Sequence, residues 1–248
     1  MCGVDATLRA ARLLGRAGRW TEGIQLCESM QAPEARLVAA VLAADSYFFA
    51  GRDGVAEALD RAREAVGEVD EWRFADAKYR YGILLRTGDR DPEKCRAATG
   101  RFATLAREVA DDGLRGWARF YHAVTLDVLY EDRHDEARAE LEDVRKTAEP
   151  YLLSYVLRHL AFHELEGPTG DRALGADLAW QSLTLRLACG AMPETAAQME
   201  YVAEIRQRDG DPAGARRLAE QALAICDELG MSGPIRAALD EVLAATAP

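Results

Sequence analysis

The clearest alternation of apolar and polar positions runs from Tyr201 to Gly230. A helical run, Tyr201 to Arg208, leads into DGDPAG, and a second run, ARRLAEQALAICDELG, closes on Gly230. In that second run Ala215, Leu218, Ala219, Ala222 and Ile225 recur at three- and four-residue spacing, one face of an amphipathic helix. Gly230 suits the left-handed position that ends a helix. The same unit recurs upstream. Gly18-Arg19-Trp20 precedes TEGIQLCESM, Gly51-Arg52-Asp53 precedes VAEALDRAREAV, and the Gly88 to Pro92 turn precedes EKCRAATGRFATLAREV. Asp132-Arg133-His134 precedes DEARAELEDVRKTA, and the Gly167 to Asp171 turn precedes RALGADLAWQSLTLRLACG.

The small residues opening each second helix align as Gly23, Ala58, Ala98, Ala137, Ala179 and Ala215, at steps of 35, 40, 39, 42 and 36 residues. Short side chains there have a direct cause: paired helices approach to about 8–10 Å only where side chains are short. The pattern predicts an all-α chain forming one solenoid domain over 1–248. Its six antiparallel helix pairs are expected over 5–31, 34–67, 71–110, 114–148, 151–189 and 194–229. GPIRAALDEVLAATA reads as a C-terminal capping helix over 233–246, covering the apolar face that the last pair would expose.

In this turn-plus-small-residue pattern (GRW–TEG, GRDG–AEA, GDRDPEK, EDRHDEA and GDPAGA), over residues 5 to 230, the chain resembles the tetratricopeptide repeat (TPR) family. It is most similar to the regulatory-type helical arrays of actinobacterial proteins, where second helices often end in a step such as Leu229-Gly230. The first and last steps lie near the TPR period of about 34 residues, and the middle ones near the about 40–47 of looser helical repeats. The family's proline after the second helix is mostly absent; Pro150 and Pro193 come closest. The resemblance implies a right-handed, TPR-like α-solenoid, with ligands held on a concave groove lined by first helices.

Composition narrows the class without naming a function. Alanine, leucine, arginine and glutamate dominate, all strong helix formers. A net charge of −11 argues against a nucleic-acid partner, which needs a local excess of Lys and Arg. Only Lys78, Lys94 and Lys146 are lysines, a bias that reads as a GC-rich genome. No run approaches the roughly 18 apolar residues of a membrane span. The first twenty residues lack the apolar stretch and cleavage site of a secretory leader. Five scattered cysteines with no CxxC pair read as reduced, buried thiols of a cytoplasmic protein.

Candidate chemistry gathers in the first helices of the third to fifth pairs, which are rich in Tyr, His, Arg and Trp. The ligand-groove candidates are Tyr79, Tyr121, His122, Tyr155, Arg158, His159 and His163. His159 and His163 share a helix face, and the pair alignment sets His122 across from His159. Such a pocket would suit an anionic or aromatic ligand. His-x3-His with His122 is a workable metal spacing, but HELEG lacks the H-E-x-x-H order, and neither metal nor cofactor is expected. Ser154 has no elbow motif, no phosphate-binding glycine loop is present, and no catalytic residue is assigned. Asp111-Asp112 and Glu131-Asp132 read as caps and solvated turns. Trp72 and Trp117 read equally as core.

Three functions fit this sequence. The first is a regulatory scaffold that binds a protein or peptide and is not an enzyme. The alternative is a small-molecule-binding or catalytic solenoid, for example in specialised metabolism. The third is self-association as a homodimer through an edge of the array, which an exposed apolar face on the closing helix would support.

Overall fold

A computed structural model of the chain describes residues 2–168 and 170–246, without the side chain of Cys2. Thr169, in the turn read between Gly167 and Asp171, lies outside the described residues. The chain is all-helical, with thirteen helices and no strand among the described residues. Its contacts cluster into two compact units, Met1–Thr147 and Ala148–Pro248.

The first unit holds α1 (Cys2–Arg16), α2 (Trp20–Glu28), α3 (Pro33–Ala50), α4 (Val55–Val66), α5 (Asp70–Thr87), α6 (Pro92–Glu108), α7 (Asp112–Leu129) and α8 (His134–Arg145). Each helix packs on the next, and α1 on α3, α3 on α5 and α5 on α7 also touch. The second unit holds α9 (Pro150–Glu166), α10 (Arg172–Ala188), α11 (Met192–Arg208), α12 (Pro212–Leu229) and α13 (Pro234–Ala245). There α10 packs on α9 and α11, and α12 and α13 pack on α11 and on each other.

Local sequence sets the helix ends. Asp91 accepts hydrogen bonds from the backbone N–H of Glu93 and Lys94, and Asp111 accepts one from Leu114. Asp171 and Asp211 cap α10 and α12 in the same way. These side chains satisfy N–H groups that a helix start leaves without partners. Proline opens α3, α6, α9, α12 and α13, where its missing N–H costs nothing. Gly230 ends α12 at φ 64, the left-handed conformation its position requires.

The six aligned small residues all lie on even-numbered helices, and all six are buried. Ala137, Ala179 and Ala215 are 0% exposed. At Gly23 even a methyl group would be too large: a Cβ would lie 2.7 Å from Leu42 Cδ1 and 3.0 Å from the Ala11 carbonyl oxygen. Close helix approach is thus built from side chains that do not stand in its way. Cys27, Cys95 and Cys226 are buried and free, and Cys189 is half-buried and free. No helix among the described residues is long and apolar enough to cross a membrane.

Candidate functional site

The seven groove candidates divide between the two units. In the first unit, Tyr79 packs at the margin of the core and Tyr121 within it. Tyr79 is half-buried edge-on to Tyr47, with ring centroids 5.1 Å apart, and flanks the α3–α4–α5 core. Tyr121 is buried and stacks on Phe102 at 5.1 Å, with Phe74, Tyr81 and Phe120 edge-on around it. Trp72 is buried in the same way and donates from Nε1 to the Leu59 carbonyl at 2.8 Å. His122 is half-buried on α7, its Nδ1 3.9 Å from Glu140 Oε2. Arg119 holds that carboxylate more closely, at 2.7 Å, and burial pushes the His122 pKa down.

In the second unit, Tyr155 and Arg158 belong to a polar layer that joins α9 to α10 and α11. Tyr155 and Tyr151 both donate to Glu194 Oε1, at 2.6 and 2.7 Å. Arg158 lies over the ring of Tyr201 at 4.9 Å and donates to the Ala197 carbonyl and to Gln198 Oε1. Gln198 in turn donates to the carbonyl of Ala179, one of the aligned small residues. Arg186 is 2% exposed, stacks over Tyr155 at 4.9 Å and donates to the Glu194 carbonyl at 2.7 Å. Burial first, then the nearby Arg158 charge, lowers its pKa to about 10. Glu200 faces Arg158 at 3.8 Å, and its pKa is raised to about 7, chiefly by burial. Glu194 Oε2, Arg186 Nε and the Tyr201 hydroxyl have no hydrogen-bond partner among the described residues. His163 is buried edge-on to Phe162, and His159 is half-buried one turn before it. No group of three or more His, Cys, Asp or Glu side chains that could hold a metal is present among the described residues.

The first unit also carries a groove that the sequence reading did not single out. Along the seam of α5 and α6, cavities of about 390 and 270 Å³ meet at Ala97 and Arg101, which line both. Trp72, Arg73, Asp76, Gly100 and Leu105 line the first; Arg80, Ile83, Leu84 and Lys94 line the second. At the junction, Asp76 is 7% exposed and accepts from Arg80 Nε at 2.8 Å and from Arg101 at 3.2 Å. A larger hollow of about 500 Å³ lies among α2, α3 and α4, but its charged residues, Glu28, Arg36 and Arg61, are all exposed.

The chain matches no family model and no curated protein.

Sequence reasoning named Tyr155 and Arg158 but not Arg186, Glu194, Gln198 and Glu200, which make up their surroundings. One signal was available: Glu194, Gln198 and Tyr201 follow three- and four-residue spacing in a helix of mixed polarity. The groove had a signal too. Gly100 sits mid-helix, where glycine is costly, with Ala97 one turn before it and Arg101 beside it.

Proposed function

We propose that the chain is a TPR-like scaffold of about six antiparallel helix pairs in a right-handed solenoid, and that it binds a protein or peptide partner in the cytoplasm. The observation that carries this reading is the α5–α6 groove, an open seam whose two cavities could each take a side chain of a bound segment. The repeat reading draws support from the six buried small residues at near-regular steps. It draws further support from the contacts of α1, α3, α5 and α7, each on the next, since stacked repeats touch only their neighbours. Buried free thiols fit a reducing compartment. The test is to pan a random-peptide display library on the full chain and measure the enriched peptides by calorimetry. A recurring sequence pattern binding one peptide per chain is expected. A folded chain that enriches nothing would overturn the scaffold reading.

A second reading rests on the polar layer of α9–α11. Arg186 is a buried cation whose only direct polar partner among the described residues is a carbonyl, and Glu194 Oε2 lies unpartnered nearby. Buried charges are normally paired, so these groups favour a small polar or anionic ligand. Screening carboxylates and phosphates for a rise in melting temperature tests it. The rise should vanish in Arg158→Gln.

A further inference from the structure

We propose that the polar layer of α9–α11 binds a small α-amino acid as its zwitterion, with the ammonium group on Glu194 and the carboxylate on Arg186. This rests on the reading of that layer as a ligand site and names the ligand's class.

Two opposite charges lie close together in the layer without pairing. Arg186 is 2% exposed and Glu194 is 5% exposed. Arg186 donates from Nη1 to the backbone carbonyl of Glu194 at 2.7 Å, not to its carboxylate. Arg186 Nε and Glu194 Oε2 are both left without a partner among the described residues. Either group alone, buried and unpaired, is costly. Tyr155 holds the two apart. Its ring lies against the Arg186 guanidinium, 4.9 Å from centroid to Cζ, while its hydroxyl donates to Glu194 Oε1 at 2.6 Å. Tyr151 donates to the same oxygen at 2.7 Å. The carboxylate is thus anchored at the hydroxyl end of the ring and the guanidinium at its face. What remains open is one acceptor, Oε2, and one donor, Nε.

Charge decides the ligand's class. The layer's second cation, Arg158, faces Glu200 at 3.8 Å, and the next acid along α11, Glu204, faces Arg208 at 3.8 Å. Arg158 and Arg186 are therefore matched by Glu194 and Glu200, and net charge draws neither a lone anion nor a lone cation into the layer. A zwitterion adds no net charge and brings both missing partners. Its ammonium donates to Oε2 and its carboxylate accepts from Nε, each a charge-assisted hydrogen bond. Groups this deeply buried are reached only by a small molecule. Arg158, whose side chain is 28% exposed, is more open to solvent than Arg186, Glu194 or Glu200, so the ligand enters past it.

The probes are L-alanine, propionate, which lacks the ammonium group, and ethylamine, which lacks the carboxylate. Binding to the full-length chain is read as a rise in melting temperature and by calorimetry. L-alanine should bind at least about tenfold more tightly than either half-ligand, in line with the loss of one charge-assisted hydrogen bond. Glu194→Gln should erase its advantage over propionate, and Arg186→Met its advantage over ethylamine. Circular dichroism checks that each variant is folded. Should Arg186→Met not fold, Glu194→Gln carries the test, because it keeps a side-chain oxygen for Tyr151 and Tyr155 to donate to. If propionate binds as tightly as L-alanine, the layer remains an anion site and the amino acid is overturned. L-alanine binding whose preferences survive in the folded variants lies elsewhere and overturns the inference. If neither the three probes nor phosphate binds, the reading of the layer as a ligand site falls with it.

Discussion

Replacing Glu200 by glutamine should make the protein more stable, and only at neutral and alkaline pH. Glu200 is 8% exposed on α11, with Arg158 too distant at 3.8 Å for a direct hydrogen bond and Glu204 one turn along its own helix. Burial holds its carboxyl near 7, against an ordinary value of 4.5. The native state therefore binds this proton more tightly than the unfolded chain does. Between pH 4.5 and about 7 the folded form carries more protons, so stability falls as pH rises through that window. The gap corresponds to about 3 kcal/mol, fully lost above the native value. Glutamine mimics the protonated acid at every pH. Urea unfolding followed by far-ultraviolet circular dichroism, from about pH 5 to pH 8, should give matching midpoints for wild type and Glu200→Gln at the acid end and a widening gap toward pH 8. The carboxylates held below their ordinary range, Asp89, Glu136, Asp143 and Asp211, act at lower pH and with opposite sign, so they do not mimic the effect. A gap that stays constant with pH, or a wild type that gains stability relative to the variant as pH rises, would refute the reasoning.

Three further changes test other parts of the structure. Gly100→Ala should stabilise by about 0.5–1 kcal/mol, seen as a higher melting temperature, because the methyl group meets open space and the helix gains a better former. Ala215→Leu, at a site that is 0% exposed, should cost about 1–3 kcal/mol by overpacking where α12 meets its neighbours, measurable as a lower urea midpoint. Tyr155→Phe should cost about 1 kcal/mol, since Tyr151 still donates to Glu194; adding Tyr151→Phe should cost more than a second equal step, because the carboxylate then loses both donors.

What could be read from the sequence was the part governed by short-range spacing. Gly23, Ala58, Ala98, Ala137, Ala179 and Ala215 were legible as contact points because a helix crossing selects small side chains whatever lies beyond it. Gly230 and Asp111 were legible as caps because capping involves only a few neighbouring residues. Tyr121 was harder: an aromatic at helical spacing reads the same in a groove or a core, and only its stack on Phe102, from another helix, decides between them. Arg186 and Glu200 were not legible as buried residues. A charge on a helix normally marks its solvated face, and their burial depends on α9, whose contribution comes from more than thirty positions upstream. The Arg80–Asp76–Arg101 junction was hidden for the same reason, since it needs α5 and α6 to be side by side before two ordinary surface arginines share one acid.

The free cysteines give the molecule a set of internal clocks. Cys27 in α2 and Cys95 in α6 belong to the first unit, and Cys226 in α12 to the second; all three are buried. Burial also pushes the thiols of Cys27 and Cys226 up, away from the reactive thiolate. A thiol reagent can reach each one only while its helix opens, so the three labelling rates would time local opening at three separate points of the chain, without any probe being introduced.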